Sequence, residues 1–323
     1  MLDSVVLKIE KFYKQNVYSR ADDNGNLYYF SEKDFEGLEK ENYPFVSSLG
    51  LKLSGCFYYY HNFKPGRIVI FDHGMGGGHR SYMKEIELLA RAGYLVFTYD
   101  HTGCMESEGE STGGFVQSLI DLNDAIFALK SDENYKNFDF SVVGHSWGAF
   151  ATLNIAKYHP DVKHLIAMSG FISVSEILKQ YFGGVLSFAY DKIYSSTLNE
   201  CPDFVKVNAI DSLASTDANV LIIHSKDDKT VSYKRNFLAL KNALSDMPNV
   251  EFLTVDKKGH NPNYTVEASR YTAKTLKIYK KYLKKKLLNT EIEKSAFKDK
   301  FDWNKMTEQD FRVWEKIIKT LEK

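Results

Sequence analysis

The sequence predicts a mostly parallel, doubly wound α/β sheet with an inserted helical cap, and three observations predict it. Apolar, β-branched runs alternate with amphipathic stretches of helical spacing across residues 67–285, the pattern of strands covered on both faces by helices. The stretch "VVGHSWGAF", Val142 to Phe150, sets one serine between two glycines where a run ends and a helical stretch begins. Residues 171–218 then interrupt the alternation with a segment too long and too aromatic for a plain crossover.

The elements follow in order. Residues 4–15 read as a short amphipathic helix, and "NGNLYYF" as a turn leading into an extended piece. "LKLSGCFYYYH" (51–61) reads as a strand, and "GRIVIFDHG" as a β-branched run ending in glycine. In "HRSYMKEIELLARAGY" helical spacing puts Tyr82, Ile86, Leu89 and Ala90 on one face. "YLVFTYD" (94–100) is a strand, "GFVQSLIDLNDAIFALK" (114–130) a helix and "DFSVVGH" a strand. "WGAFATLNIAKYHP" reads as a helix stopped by Pro160. "VKHLIAMSG", residues 219–225 and residues 249–255 are the remaining strands, with a helix over 232–245 between the last two and a long final helix in "NPNYTVEASRYTAKTLKIYKKYL". The interrupting segment carries Phe171, Ile172, Ile177, Leu178, Tyr181, Phe182, Leu186 and Phe188 and reads as the cap. Residues 1–289 are thus expected to form one domain with its cap at about 171–218, and 290–323 a C-terminal helical appendage. In "TEQDFRVWEKIIKTLEK", Phe311, Trp314, Ile318 and Leu321 share a face, with Thr307 and Asp310 resembling a capping box. That face is expected to cover this chain's own core, with a homodimer contact as the alternative.

Composition narrows the function classes. Lys+Arg and Asp+Glu both number 42, so no basic excess points to nucleic acid. The basic run Lys277 to Lys286 reads as the solvated face of a helix. Three cysteines, Cys56, Cys104 and Cys201, lie far apart without CxxC spacing, so neither a disulfide framework nor a zinc site is expected. The first fifteen residues scatter charge where a signal peptide would be apolar, and no run of about 18 apolar residues occurs. The expectation is a cytoplasmic protein with no stable membrane insertion, no metal and no cofactor.

In an open parallel sheet, ligands sit beyond the carboxyl ends of the strands, and four loops there carry suggestive residues. Gly144-His145-Ser146-Trp147-Gly148 matches G-x-S-x-G between a strand and a helix. A serine on so sharp a turn needs small neighbours two residues away, and the turn lifts its hydroxyl to a helix N-terminus. A tight turn needing small residues is the competing reading of the pentapeptide alone. The serine needs a base. His73, His101, His145 and His224 stand at strand ends, where packing or hydrogen bonding explains them, whereas His260 lies in the polar loop "DKKGHNPNY" after the last strand. The base needs a carboxylate. "HSKDDKTVSY" offers Asp228, with Asp227 as rival, and either could instead be an acid at the start of helix 232–245. Finally, "DHGMGGGHRSY" can aim backbone N–H groups inward, so the amides of Met75 and Trp147 are the expected oxyanion hole. Phosphate binding competes poorly, because the loop lacks the G-K-[ST] ending.

Together, "HGMGGGHRSY", "DHTGCMESEG", "GHSWGAF", "HSKDDKTV" and "GHN" occur in the order seen in α/β-hydrolases. The first and third resemble the monoacylglycerol-lipase and lysophospholipase-like branch, which includes serine aminopeptidase-like members. The resemblance spans about residues 45–285 and implies the α/β-hydrolase fold, Ser146 as nucleophile, Asp228 as acid, His260 as base, Met75 and Trp147 at the oxyanion, and a cap over the site. Phe171, Ile177, Tyr181 and Phe182 of that cap are candidate substrate contacts. There are departures: Met105 stands where the family's D-x-x-G-x-G motif has its second glycine, Gly77, Gly78 and His79 stand where Glu-His-Ser is common, and Ser225 and Ser232 replace a frequent glycine and proline. The implied activity is hydrolysis of carboxylic esters of small or medium, lipid-like acyl groups, with a small-molecule ester as the partner. Thioesterase and aminopeptidase chemistry would use the same residues, and a non-catalytic binder of an apolar ligand is the reading from another class.

Overall fold

A computed structural model describes residues 2–323. Its centre is an eight-stranded sheet in the order β1-β4-β6-β5-β7-β8-β9-β10. The strands are β1 (Glu39–Asn42), β4 (Gly55–Tyr59), β5 (Arg67–Asp72), β6 (Leu95–Tyr99), β7 (Asp139–His145), β8 (His164–Met168), β9 (Asn219–Ser225) and β10 (Val250–Val255). From β6 through β10 every pairing is parallel, while β1 and β4 add antiparallel pairs at one edge. The expected strand 51–61 is divided: β3 (Lys52–Leu53) turns away to pair with β2 (Phe45–Val46) in a separate ribbon. The division falls at Ser54–Gly55, where a side chain on Gly55 would collide with the Tyr43 carbonyl and the Phe97 ring.

Period-two alternation in the central strands builds two cores. Ile68, Ile70, Val142, Leu165 and Ile222 point to one face, and Val69, Phe71, Val143, Ile166 and Ile223 to the other. The first face is covered by α3 (Gln117–Ser131), α4 (Trp147–Asn154) and α9 (Phe237–Leu244), the second by α2 (Met83–Arg91) and α13 (Phe311–Leu321). Two helices are shorter than their sequence patterns. Before reaching Pro160, α4 tightens into a 3₁₀ turn at Ile155–Lys157. The 232–245 pattern becomes helical only at Phe237, because Ser232 to Asn236 form turns in which the Asn236 side chain reaches the backbone N–H of Ile172.

The cap region contains α5 (Val174–Phe182), a 3₁₀ turn at Gly184–Leu186, α6 (Ser187–Glu200), α7 (Pro202–Val205) and α8 (Ala209–Ala214). The N-terminal helix α1 (Leu2–Val17) lies against α6, its Tyr13 ring edge-on to Phe182 at 5.7 Å. Beyond the long α10 (Val266–Lys284) come α11 (Glu291–Lys298), α12 (Trp303–Met306) and α13. The last helix packs on this chain's own sheet, at β8 and β9, through Val313, Trp314, Ile317 and Leu321. Two local expectations are corrected there. Phe311 is 78% exposed, because the buried stripe runs through 313, 317 and 320 and leaves residue 311 on its flank. Asp310 alone caps α13, accepting from the Arg312 N–H, while the Thr307 hydroxyl donates back to the Trp303 carbonyl. The appendage's capping box is Thr290 with Glu293 instead.

Candidate active site

The four suggestive loops follow β5, β7, β9 and β10, parallel strands that end on one side of the sheet, so the topology brings them to one edge. Ser146 is the sharp point of the strand-to-helix turn, with φ 56° and ψ −109°, in a region that costs a non-glycine residue roughly 1–3 kcal/mol. The turn survives because its surroundings fix it. The Ser146 N–H donates to the Met168 carbonyl at 2.8 Å, and the Phe150 N–H donates to the Ser146 carbonyl at 3.0 Å. Gly144 and Gly148 are required by close approach: a Cβ on Gly148 would strike the Asp72 carbonyl, and one on Gly144 would strike Gly148 and Thr152.

His260 Nε2 lies 2.8 Å from Ser146 Oγ, and His260 Nδ1 lies 2.8 Å from Asp228 Oδ2. With Nδ1–H donating to the carboxylate, Nε2 is left to accept the serine proton. The other carboxylate oxygen of Asp228 accepts from the Thr230 and Val231 N–H groups at 2.8 and 3.1 Å. Burial alone would raise the Asp228 pKa, but hydrogen bonds from His224 and His260, and the charge of those rings, outweigh it and hold the carboxyl well below the usual carboxylate range. Neither aspartate is a helix N-terminal acid, since α9 begins nine residues after Asp228 (237 − 228). Asp227 does something else. It accepts from the Ser225 hydroxyl at 2.6 Å and the Gly259 N–H at 3.1 Å, tying the base of the His260 loop to β9.

A second chain of hydrogen bonds joins three of the loops from behind. His145 Nε2–H donates to the His260 carbonyl at 2.8 Å, leaving Nδ1 to accept from the Tyr82 hydroxyl at 2.9 Å. The Tyr82 oxygen in turn accepts from the Gly74 N–H at 3.1 Å. Burial, then the neighbouring His260 charge, lowers the His145 pKa to about 3, so the ring holds the neutral tautomer this chain of bonds requires. Beneath the glycine-rich loop, the His101 ring bridges the buried carboxylates of Asp72 and Asp121 at 2.7 and 3.2 Å, and the His101 backbone N–H donates to His73 Nε2 at 3.0 Å.

Met75, Gly76, Ser146, Trp147 and His260 all face a cavity of 780 Å³. Phe171, Ile177, Tyr181 and Phe182 line it too, as do Phe115, Thr230 and Val231. Trp147 opens α4, so its N–H precedes the first intrahelical bond and stands among the unpaired amides of a helix start. No carboxylate occurs among the described residues lining the cavity, and among the described residues no group of three or more His, Cys, Asp or Glu is arranged to hold a metal ion. No helix among the described residues is long and apolar enough to cross a membrane.

Comparison with known proteins agrees with this architecture. The model of the family described as "Serine aminopeptidase, S33" matches residues 64–206. The chain is 27% identical over 125 residues to the monoglyceride lipase of Rattus norvegicus, an alignment covering 38% of this chain and 39% of that protein. It is 28% identical over 120 residues to the putative carbamate hydrolase RutD of Klebsiella pneumoniae subsp. pneumoniae, covering 36% of this chain and 43% of that one. The chain thus spans about two fifths of the length of these relatives. Among solved structures, the Pyrococcus furiosus esterase Pf2001 superposes with a TM-score of 0.58 at 19% identity, over 80% of this chain and 96% of that one. The architecture is the α/β-hydrolase fold. Within it, the resemblance is to the monoacylglycerol-lipase and lysophospholipase-like branch.

Two parts of this site were not visible in its motifs. One is α1, which supplies Val5, Ile9, Phe12, Tyr13 and Val17 to the cavity wall. Its amphipathic spacing announces a helix with a face to bury but carries no sign of where. The other is a clamp on the His260 loop from the appendage. Lys258 donates to Asp310 at 2.6 Å, the Asp310 N–H donates to the Asn263 carbonyl at 2.7 Å, and the Asn263 and Gln309 amides both donate to Glu85 at 2.9 and 3.0 Å. Burial raises the Glu85 pKa to about 7 against those hydrogen bonds.

The raised Glu85 pKa makes stability depend on pH. Between its ordinary value of 4.5 and about 7 the folded state binds the proton more tightly than the unfolded chain, so this contribution is complete below 4.5 and is lost as pH rises through 7. Glu85→Gln abolishes that titration. Urea denaturation of both proteins at pH 5 and pH 8 should show the variant gaining on the wild type by roughly 2.5 kcal/mol across the interval. A difference that does not change with pH would contradict this.

Proposed function

We propose that this chain is a serine hydrolase that cleaves carboxylic esters of apolar acyl groups through an acyl-enzyme. The observation that carries the reading is the unbroken line from Ser146 Oγ through the His260 ring to Asp228, opening on a cavity with largely apolar walls. In this reading Ser146 Oγ attacks the acyl carbonyl as its proton passes to His260 Nε2. Asp228, held ionised, fixes the imidazole tautomer and offsets the charge the ring acquires. The Met75 and Trp147 amides receive the tetrahedral oxyanion, each donor contributing roughly 3–4 kcal/mol in the transition state. His260 then returns the proton to the leaving alcohol, and a water attacks the acyl-serine by the same base. The His145–Tyr82–Gly74 bonds hold base, nucleophile and oxyanion loop in register, which supports the rate through positioning.

Peptide hydrolysis, suggested by the description of the matching family, is less well supported. Recognition of a free substrate amine calls for a carboxylate, and the described lining residues offer none. The esterase named for the Pyrococcus furiosus structure and the lipase named for the Rattus norvegicus protein favour the ester reading. The test is pre-steady-state hydrolysis of p-nitrophenyl butyrate. A burst of p-nitrophenol of about one equivalent, followed by a slower steady rate, is expected where deacylation is the slower step. Absence of any turnover of butyrate, octanoate or acetate esters would refute the reading.

A further inference from the structure

We propose that α1 is the length gauge of an acyl channel that opens from Ser146. This rests on the ester-hydrolase reading and goes beyond it by naming the element that sets the acyl length. The element lies outside the 64–206 region shared with the matching family.

Val5, Ile9, Phe12, Tyr13 and Val17 all face the cavity that Ser146 opens into. They recur every three or four residues, so they form one continuous face of α1. Twelve residues of helix separate the first from the last, and at the α-helical rise this face runs for about 18 Å. The cavity therefore extends along the helix as a channel and is not confined to the neighbourhood of the serine. The opposite wall comes from the cap through Phe171, Ile177 and Phe182.

The direction of the channel follows from how α1 is anchored. Its C-terminal end is fixed to the loop leading to α3: the Thr112 hydroxyl donates to the Val17 carbonyl at 2.6 Å, the Ser111 hydroxyl to the Tyr18 carbonyl at 2.7 Å, and the Arg20 guanidinium to the Ser107 and Gly109 carbonyls at 2.8 and 2.7 Å. Tyr13 packs against Phe115 at 6.2 Å, and the Phe115 carbonyl accepts from the Trp147 indole at 2.8 Å. The Tyr13–Val17 end is thus the end beside the serine, and Ile9 and Val5 lie progressively farther out. Toward the outer end Val5 is 43% exposed, and Tyr181 of the cap is 47% exposed, so the channel opens to solvent between α1 and the cap. An acyl carbonyl placed at Ser146 directs its chain past Tyr13 and Phe182 toward Ile9.

Filling such a channel has a graded effect. Each methylene transferred from water to apolar walls favours binding about fourfold. A short acyl group would leave most of the walls unfilled. Well-packed interiors leave few voids larger than a water molecule, so a space of 780 Å³ beside a reactive serine is room for a ligand and not a packing defect.

The experiment uses the full chain and its Ile9→Trp and Ile9→Ala variants with p-nitrophenyl butyrate, octanoate, laurate and palmitate. In the wild type kcat/KM should rise at least tenfold from butyrate to laurate. In Ile9→Trp the laurate-to-butyrate ratio should fall at least tenfold, because the indole blocks the channel beyond Tyr13. Ile9→Ala, which opens the channel without adding bulk, should move the preference toward palmitate and keeps the test available should the tryptophan variant fail to fold. Ratios unchanged in the folded variants, or a wild type that prefers butyrate, would overturn the proposal. Displacement of a fluorescent long-chain fatty acid by laurate but not by butyrate, weakened in Ile9→Trp, reads the channel without any chemistry. Failure of all hydrolysis with displacement intact would remove the esterase reading and leave the channel standing; failure of displacement would remove the channel.

Discussion

Replacing Ser146 by alanine should lower kcat toward p-nitrophenyl esters by roughly 10⁵–10⁶ while leaving the fold intact. The size follows from the role proposed for Ser146 Oγ: it is the atom that bonds to the acyl group, and His260 Nε2, 2.8 Å away, is aligned to nothing else in the reaction until that proton moves. The stability expectation is separate. Alanine keeps the Cβ, so the strain of φ 56° is unchanged, and the backbone bonds to Met168 and from Phe150 remain. The thermal midpoint should therefore shift by no more than a few degrees. A variant that keeps a tenth of the wild-type rate would show that the serine is a turn residue and that hydrolysis proceeds elsewhere.

The second large effect separates two neighbours in sequence. Asp228→Asn should lower kcat by roughly 10⁴, because an amide facing His260 Nδ1 can present its N–H there and reverse the tautomer, leaving Nε2 protonated and unable to accept from the serine. Asp227→Asn should cost far less, about tenfold or below. Its carboxylate touches the Ser225 hydroxyl and the Gly259 N–H, not the imidazole, so it bears on the position of the loop and not on the charge of the base. The pair is measured side by side on one ester. Equal losses from the two substitutions would mean that the aspartates exchange roles, as adjacent acids on a mobile loop could.

Much of the fold was legible because the central strands are buried on both faces. Runs such as "RIVIF" and "VLII" are near-continuously apolar, and amphipathic stretches separate them, which restricts the sheet to a parallel, doubly covered form. The candidate site was legible for a related reason. Loops after neighbouring parallel strands share one edge, so Ser146, Asp228 and His260 needed only the right strand ends to be brought within hydrogen-bonding distance.

What was obscure depended on tertiary contacts that leave no local mark. Helical spacing over 232–236 is overridden by turns that send Asn236 to the cap. Thr307 and Asp310 have capping-box spacing, but Asp310 is drawn to Lys258 and caps α13 by itself. The apolar face of α1 is plain in the sequence, yet no motif shows that it meets the cap helix α6 and borders the cavity. The clamp of the appendage on the His260 loop unites Glu85, Asn263 and Gln309 across 178 and 224 positions of chain, a distance at which pattern carries no information.

On the proposed reading Ser146 is a nucleophile activated by the imidazole of His260. Intact-protein and peptide mass spectrometry after treatment with a fluorophosphonate tests it most directly. One adduct per chain is expected, on the peptide carrying Ser146, formed at a rate that collapses in His260→Ala and in Asp228→Asn. An unmodified chain, or label found on another residue while Ser146 stays free, would contradict it.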